Sequence, residues 1–270
     1  SSLLSGSSHP VPTLTPGKAR KSPQPVHCLP LNVHSHYSFL DSTLAIADIV
    51  KFAVDRDIPA IALTDRQNLH GAVEFALAAA EAGIRPIIGT ELATSDGALC
   101  LYVQNQAGYA NLCDLLSETS SRIGEPPVDG AQHSATRNRQ VNWLQRFKQT
   151  DTAGLLAVGT SPVWADIFPD RFYLGITHQE TESRRVIAPH LPRIAFAPVH
   201  YQSVQDRWKY DIVQSIRTLT LLRQTHPEKR LGGAFHFPTT EEIRQRWGEH
   251  PDWLDRTQEL ADRCACKFDY

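Results

Sequence analysis

From Leu29 onwards, short apolar runs alternate with stretches of helical periodicity through links of a few residues, a rhythm that points to a parallel sheet. Leu31 to Val33 reads as a first strand. Ser42 or Thr43 then caps a helix whose apolar face is Leu44, Ile46, Ile49, Val50, Ala53 and Val54. Ala60 to Leu63 is a second strand, and Gly71 to Ala82 is an alanine-rich helix stopped by Gly83. Pro86 to Ile88 opens a third strand, where a proline fits only at the start or on an edge. Leu92 to Thr94 and Leu99 to Val103 flank Ser95-Asp96-Gly97, a hairpin turn. Tyr109 to Ser120 is helical in pattern, and 121–140 reads as a loop. Leu155 to Val158, Phe172 to Ile176 and Ile194 to Ala197 bring the set to six or seven strands with helices between them. That arrangement is closer to a barrel than to a doubly wound sheet. Two small helices follow, capped at Thr239 or Thr240 and near Pro251.

A chain of 270 residues is long enough for one large core. Residues 1–28 are rich in Ser and Pro and lack sustained apolar periodicity, so they read as a disordered tail, leaving 29–270 as the folded domain. The 27 basic and 29 acidic residues leave a formal charge of -2, which supplies no broad field for a polyanion. Contact with DNA is therefore expected only indirectly. Cys28, Cys100, Cys113, Cys264 and Cys266 form no CxxC pair and are odd in number, which argues against a disulfide framework or a thiolate zinc site. Free thiols in a reducing cytoplasm are the expectation. No apolar run approaches the roughly 18 residues that a bilayer span needs, and the start lacks the pattern of a signal peptide. The sequence contains no methionine, and it reads as a piece of something longer.

The residues that carry chemistry gather at strand ends. His34-Ser35-His36 follows the first strand, with Asp41 soon after, and in extended backbone residues two apart point to one side. Both imidazoles are then expected to face one point, as metal ligands do. Thr64-Asp65, Gly89-Thr90-Glu91 and Val199-His200-Tyr201 end further strands in the same way, and in a barrel such ends build the active site. Each has a blander reading: the HxH as a hydrogen-bonded surface pair, Asp65 as a helix cap, Glu91 as a turn carboxylate. Jointly they point to a pocket that holds, or once held, metal.

The run LNVHSHYSFLDSTLAIADIVKFAVDRDIPAIALTDRQNLHGAVEFALAAAEAGIRPIIGTEL resembles the opening of the PHP (polymerase and histidinol phosphatase) domain of bacterial DNA polymerase III alpha subunits. That family shows His-x-His with a following Asp, then Thr-Asp-His-Gly, a GAVEF-type helix, and Pro-Ile-x-Gly-x-Glu. Gln104 to Leu116, Val199 to Ile216 and the ELADRC stretch near Glu259 resemble later family segments, and the error-prone branch is at least as close as the replicative one. The resemblance implies a distorted seven-stranded (β/α) barrel and, in members with a full site, three metal ions held by nine ligands. His34, His36, Asp41, Glu91 and His200 match ligand positions. Four others are replaced: Arg66 stands for the histidine of Thr-Asp-His-Gly, Ala98 for the histidine after the hairpin, Ser161 for the next ligand and Pro198 for the Asp of Asp-x-His-Tyr.

A guanidinium stays protonated and has no lone pair to give, so Arg66 repels a cation where the family has a ligand. The expectation is that Arg66 reaches into the old pocket and pairs with Asp41 or Glu91, that no cofactor is bound, and that the domain serves a polymerase body or other replication or repair subunits. The competing expectation is a phosphoesterase or 3′ to 5′ exonuclease using the five matching residues around one or two Zn or Mn ions. A third is an unrelated barrel enzyme in which Arg66 clamps a phosphate and faces an open pocket.

Overall fold

A computed structural model describes residues 28–121, 141–178 and 188–264. The expected tail falls outside them apart from Cys28, as do Cys266 and the expected loop apart from Ser121, which ends a helix. The strands are β1 (Asn32–Val33), β2 (Ala60–Leu63), β3 (Arg85–Thr94), β4 (Gly97–Val103), β5 (Leu155–Gly159), β6 (Phe172–Ile176), β7 (Arg193–Ala195) and β8 (Pro198–Val199). The helices are α1 (Ile46–Asp55), α2 (Ala72–Glu81), α3 (Gln106–Ser121), α4 (Trp143–Phe147), α5 (Arg207–Thr218), α6 (Thr240–Trp247) and α7 (Pro251–Arg263).

Every residue of β2, β5 and β6 is buried, because both faces of the sheet are covered. Ala60, Ala62, Ile87, Cys100, Tyr102, Leu156, Val158, Tyr173 and Ile194 form one apolar layer, closed at one end by Leu260, Ala261 and Cys264 of the α7 region. Their alternate neighbours, among them Ile61, Leu63, Ile88, Leu101, Leu155, Ala157 and Leu174, pack with α1, α2 and α3 in a second layer. Period-two strands thus build two cores at once.

The strands pair as a six-stranded sheet in the order β2-β3-β4-β5-β6-β7 and a separate parallel pair, β1 with β8. The β3–β4 and β4–β5 pairings are antiparallel and the others parallel. Among the described residues this is an α/β fold with eight strands in two pairings, where six or seven strands in a barrel-like arrangement were expected. Backbone hydrogen bonds nevertheless link the two parts: Ala62 N–H donates to Pro30 O at 3.0 Å, Thr64 N–H to Val33 O at 2.8 Å, and Phe196 N–H to Ile176 O at 3.0 Å.

The two acceptors at and just before β1, Pro30 and Val33, are three residues apart, but their donors at and just after β2, Ala62 and Thr64, are two apart. One extra residue is therefore accommodated there, as in a β-bulge. Leu31 accordingly lies in the layer closed by α7, whereas Val33 lies in the helix-side layer. The shift turns Asn32 and His34 toward Glu91.

Three local expectations are corrected. Neither Ser42 nor Thr43 caps α1: Ala45 is the N-cap, and its N–H donates to Asp48 at 3.3 Å. The Ser42 hydroxyl is instead within reach of the carbonyls of His34 (2.6 Å) and His200 (2.9 Å), tying two strand ends together. Val54 is exposed and leaves the apolar face of α1. Glu91 does not end a strand, since β3 runs on to Thr94 through the hairpin. Among the described residues, no helix is long and apolar enough to cross a membrane.

Candidate functional site

His34 follows β1, its N–H donating to Val199 O at 3.0 Å, and the chain then turns: Ser38 N–H donates to Ser35 O at 2.9 Å and Asp41 N–H to Ser38 O at 2.9 Å. Asp65, at the end of β2, holds this turn. It accepts from Ser35 N–H, Ser35 Oγ and Ser38 Oγ, each at 2.7 Å. Asp65 is therefore neither a cap of α2 nor a ligand; it fixes the loop that carries His34 and Asp41.

The turn separates the two histidines of the HxH. His34 is fully buried, whereas His36 is exposed, with Nδ1 3.3 Å from Leu44 O. Residues two apart share a direction only in extended backbone, and this segment is not extended. His34, Asp41 and His200 are brought together, with ligand atoms within 4.8 Å of one another. Glu91 joins them through His34 Nε2, 3.4 Å from its Oε2. The imidazoles of His34 and His200 stack with centroids 4.3 Å apart and an 11° interplanar angle.

Arg66 faces the two retained carboxylates, its Nε 3.5 Å from Asp41 Oδ2 and an Nη 3.8 Å from Glu91 Oε1. It does not face an open pocket. Of the other replaced positions, Ala98 sits in β4 opposite Ala93, Ser161 precedes a short 3-10 turn whose Val163 N–H it accepts, and Pro198 pairs with Asn32 in the β1–β8 ladder. None of these three brings an ionisable group to the centre.

Two further arginines that carry no motif complete it. Arg217, in the last turn of α5, donates to Asp41 Oδ1, and Arg230 donates to His200 Nε2 and lies 3.2 Å from Tyr210 Oη. Both belong to a segment that packs against this end of the sheet only in three dimensions, and nothing in the sequence distinguishes them from ordinary helix and loop arginines.

The charges shape the titration of the acids. Burial works to raise the Asp41 pKa, but Arg66 and Arg230, with His34 and Arg217, outweigh it and hold the carboxyl below its usual range. Burial likewise opposes ionisation of Glu91, and His34, Arg66 and Arg230 more than reverse the effect. For His200, burial first, then His34 and Arg230, drive the pKa well below the usual 6.5, so its imidazole is neutral.

Comparison with known proteins agrees with the strand-end pattern. A PHP domain profile matches residues 30–163. An error-prone DNA polymerase of Symbiobacterium thermophilum is 31% identical over 276 residues, covering 88% of this chain and 25% of the relative. The DNA polymerase III alpha subunits of Chlamydia trachomatis and Pseudomonas fluorescens are 25% and 28% identical, covering 90% and 89% of this chain. The chain thus spans about a quarter of the length of the curated relatives it matches. Among solved structures, a two-domain protein from Bacteroides vulgatus containing a predicted PHP-like metal-dependent phosphoesterase is similar at a TM-score of 0.41 and 14% identity, over 69% of this chain and 55% of that one. Matched by the PHP profile from the first strand onwards and aligned over nearly nine-tenths of its length with DNA polymerase III alpha subunits and an error-prone DNA polymerase, this chain is a PHP-domain homologue of the DNA polymerase III alpha family.

Proposed function

We propose that the chain is the PHP module of a DNA polymerase III alpha-type protein and that it supports the polymerase body or its partner subunits, in replication or translesion synthesis, without hydrolysing phosphoesters. One observation carries this reading: each carboxylate retained from the family's ligand set faces guanidinium groups, Asp41 those of Arg66 and Arg217, and Glu91 that of Arg66. A hydrolytic centre needs such oxygens free to bind metal and generate a nucleophile. The match to polymerases makes a cytoplasmic setting the natural one, with residues 29–270 as one domain preceded by a tail. The fold reads as the family's seven-stranded barrel: β7 and β8 are two parts of one stretch, bonded to β6 on one side and β1 on the other, and the carbonyls of Pro30 and Val33 accept from the N–H groups of Ala62 and Thr64 at the β2 side.

The test is hydrolysis of p-nitrophenyl phosphate and of a 3′-labelled oligonucleotide by the purified chain with added manganese or zinc. Rates equal to those of the Asp41→Ala, His200→Ala double variant are expected. Activity in the wild type that this double variant loses would overturn the proposal.

A second reading, a metal-dependent phosphoesterase or exonuclease holding Zn or Mn, is favoured by a specific observation. His34 Nε2 and Asp41 Oδ2 are buried without a hydrogen-bond partner, and both belong to the three-residue group that could hold an ion. Under that reading His34, Asp41 and His200 would be the ligands, and the ion would activate water.

A further inference from the structure

A divalent ion does not fit this centre as its donors stand. His200 Nδ1 lies 2.7 Å from the carbonyl oxygen of Asp41, so that nitrogen carries the proton and donates. The lone pair is then on Nε2, where Arg230 donates to it. Asp41 Oδ1 is taken by Arg217, and Oδ2 faces Arg66 at 3.5 Å. An ion bound to Asp41 and His200 must displace two guanidinium groups and settle beside a third.

We infer that the centre is a guanidinium clasp that excludes divalent metals and does mechanically what bound ions would do, fastening residues 207–236 onto the strand-end loop. The three arginines come from three places: the end of β2, the last turn of α5 and the segment after it. Arg217 bridges outward as well, its Nη2 donating to Glu228 O at 2.9 Å. Arg230 is tied into the same segment, its backbone N–H donating to Gln214 Oε1 at 2.6 Å and its guanidinium lying 5.4 Å from the Phe235 ring centre. Gln214 and Tyr210, the inward residues of α5, are almost fully buried. Each outer arginine therefore grips the centre with one nitrogen and its own segment with other atoms. Tetrahedral or octahedral ions hold chains together through lone pairs; here donors and acceptors are exchanged, and the cations are covalently part of the chain.

This goes beyond the structural role proposed above, since a non-catalytic module can still hold an ion, and failure of the clasp would leave that role standing. The test uses the full chain, elemental analysis for zinc and manganese, and thermal unfolding with and without EDTA or added zinc. For the wild type, well under one ion per chain is expected, and a midpoint that neither EDTA nor zinc moves. Arg217→Met is expected to lower the midpoint by roughly 4–10 °C, and Arg217→Met with Asp41→Asn to recover most of the loss. Arg230→Met frees His200 Nε2, so zinc is expected to raise the midpoint of that variant alone. If a variant fails to fold, the wild-type metal content and chelator response still decide. Stoichiometric metal in the wild type, a midpoint lowered by EDTA, or no recovery in the double variant would overturn the inference.

Discussion

Asn32 Nδ2 donates to Glu91 Oε2 at 2.8 Å, joining two strands whose residues lie far apart in sequence, and both side chains are buried. Asn32 also accepts from Thr64 Oγ1 at 2.9 Å, so it satisfies groups on two neighbouring strands. Asn32→Ala is expected to destabilise the protein by about 1–3 kcal/mol, because a buried carboxylate loses a donor and the Thr64 hydroxyl loses the nearer of its two acceptors, keeping only Val33 O at 3.3 Å. Urea unfolding with an unchanged m-value would show this. A loss below about 0.5 kcal/mol would mean that neither bond matters.

Asp65 acts on the loop and not on the sheet. Its three short hydrogen bonds all go to Ser35 and Ser38, so Asp65→Ala is expected to loosen residues 35–41 and cost about 2–4 kcal/mol, allowing for partial rehydration. Hydrogen exchange should rise in that loop while amides of β5 and β6 keep their protection. Equal loss across both regions would show global unfolding instead.

Acid should destabilise the protein in two stages. The folded pKa of His200 lies below its usual 6.5, so below that pH the unfolded chain takes up a proton that the folded chain does not, and this contribution fades as pH falls. Asp41 and Glu91 also have lowered pKa values, from 3.8 and 4.5; their contribution is present above about pH 5 and is lost as pH falls through that range. Each group adds a slope of at most about 1.4 kcal/mol per pH unit. Urea midpoints measured from pH 8 to 3 should decline from about pH 6.5 and more steeply below 5. A flat profile in His200→Phe between pH 7 and 5, against a falling wild type, would isolate the histidine.

Gly108 and Gly83 make a contrasting pair. A Cβ on Gly108 of α3 would run into the Gly154 carbonyl, a backbone atom that cannot swing away, whereas Gly83 follows α2 at φ 73° with open space around it. Gly108→Ala is expected to cost about 1–3 kcal/mol or more by overpacking. Gly83→Asn should cost only a few tenths to about 1 kcal/mol, since asparagine tolerates the left-handed region. Thermal midpoints of the two variants rank them.

The elements legible in the sequence are those whose pattern is local. β2 coincides with Ala60–Leu63, α2 lies within the stretch stopped by Gly83, and Thr239 caps α6 as its side chain suggests. The centre is legible where residues leave strand ends, at His34, Asp41 and His200, and in the pairing of Arg66 with carboxylates. His36 departs from its expected place because residues two apart share a side only while the backbone stays extended, and the turn built by Ser35 and Ser38 ends that condition. Arg217 and Arg230 are invisible in the sequence because their role depends on where α5 docks, which no periodicity encodes.

The extra residue in the first strand has a consequence for how this end of the protein tolerates change. Drawing the extra residue between Pro30 and Val33 into a regular alternation would swap the outlook of the side chains beyond it, sending an aliphatic group among the charges and a polar one among the helices. Deleting one of these residues would keep the present outlook, because the acceptors would then match the spacing of their donors, whereas inserting another would reverse it. The boundary between the oily part of the molecule and its charged end is kept by counting as much as by chemistry.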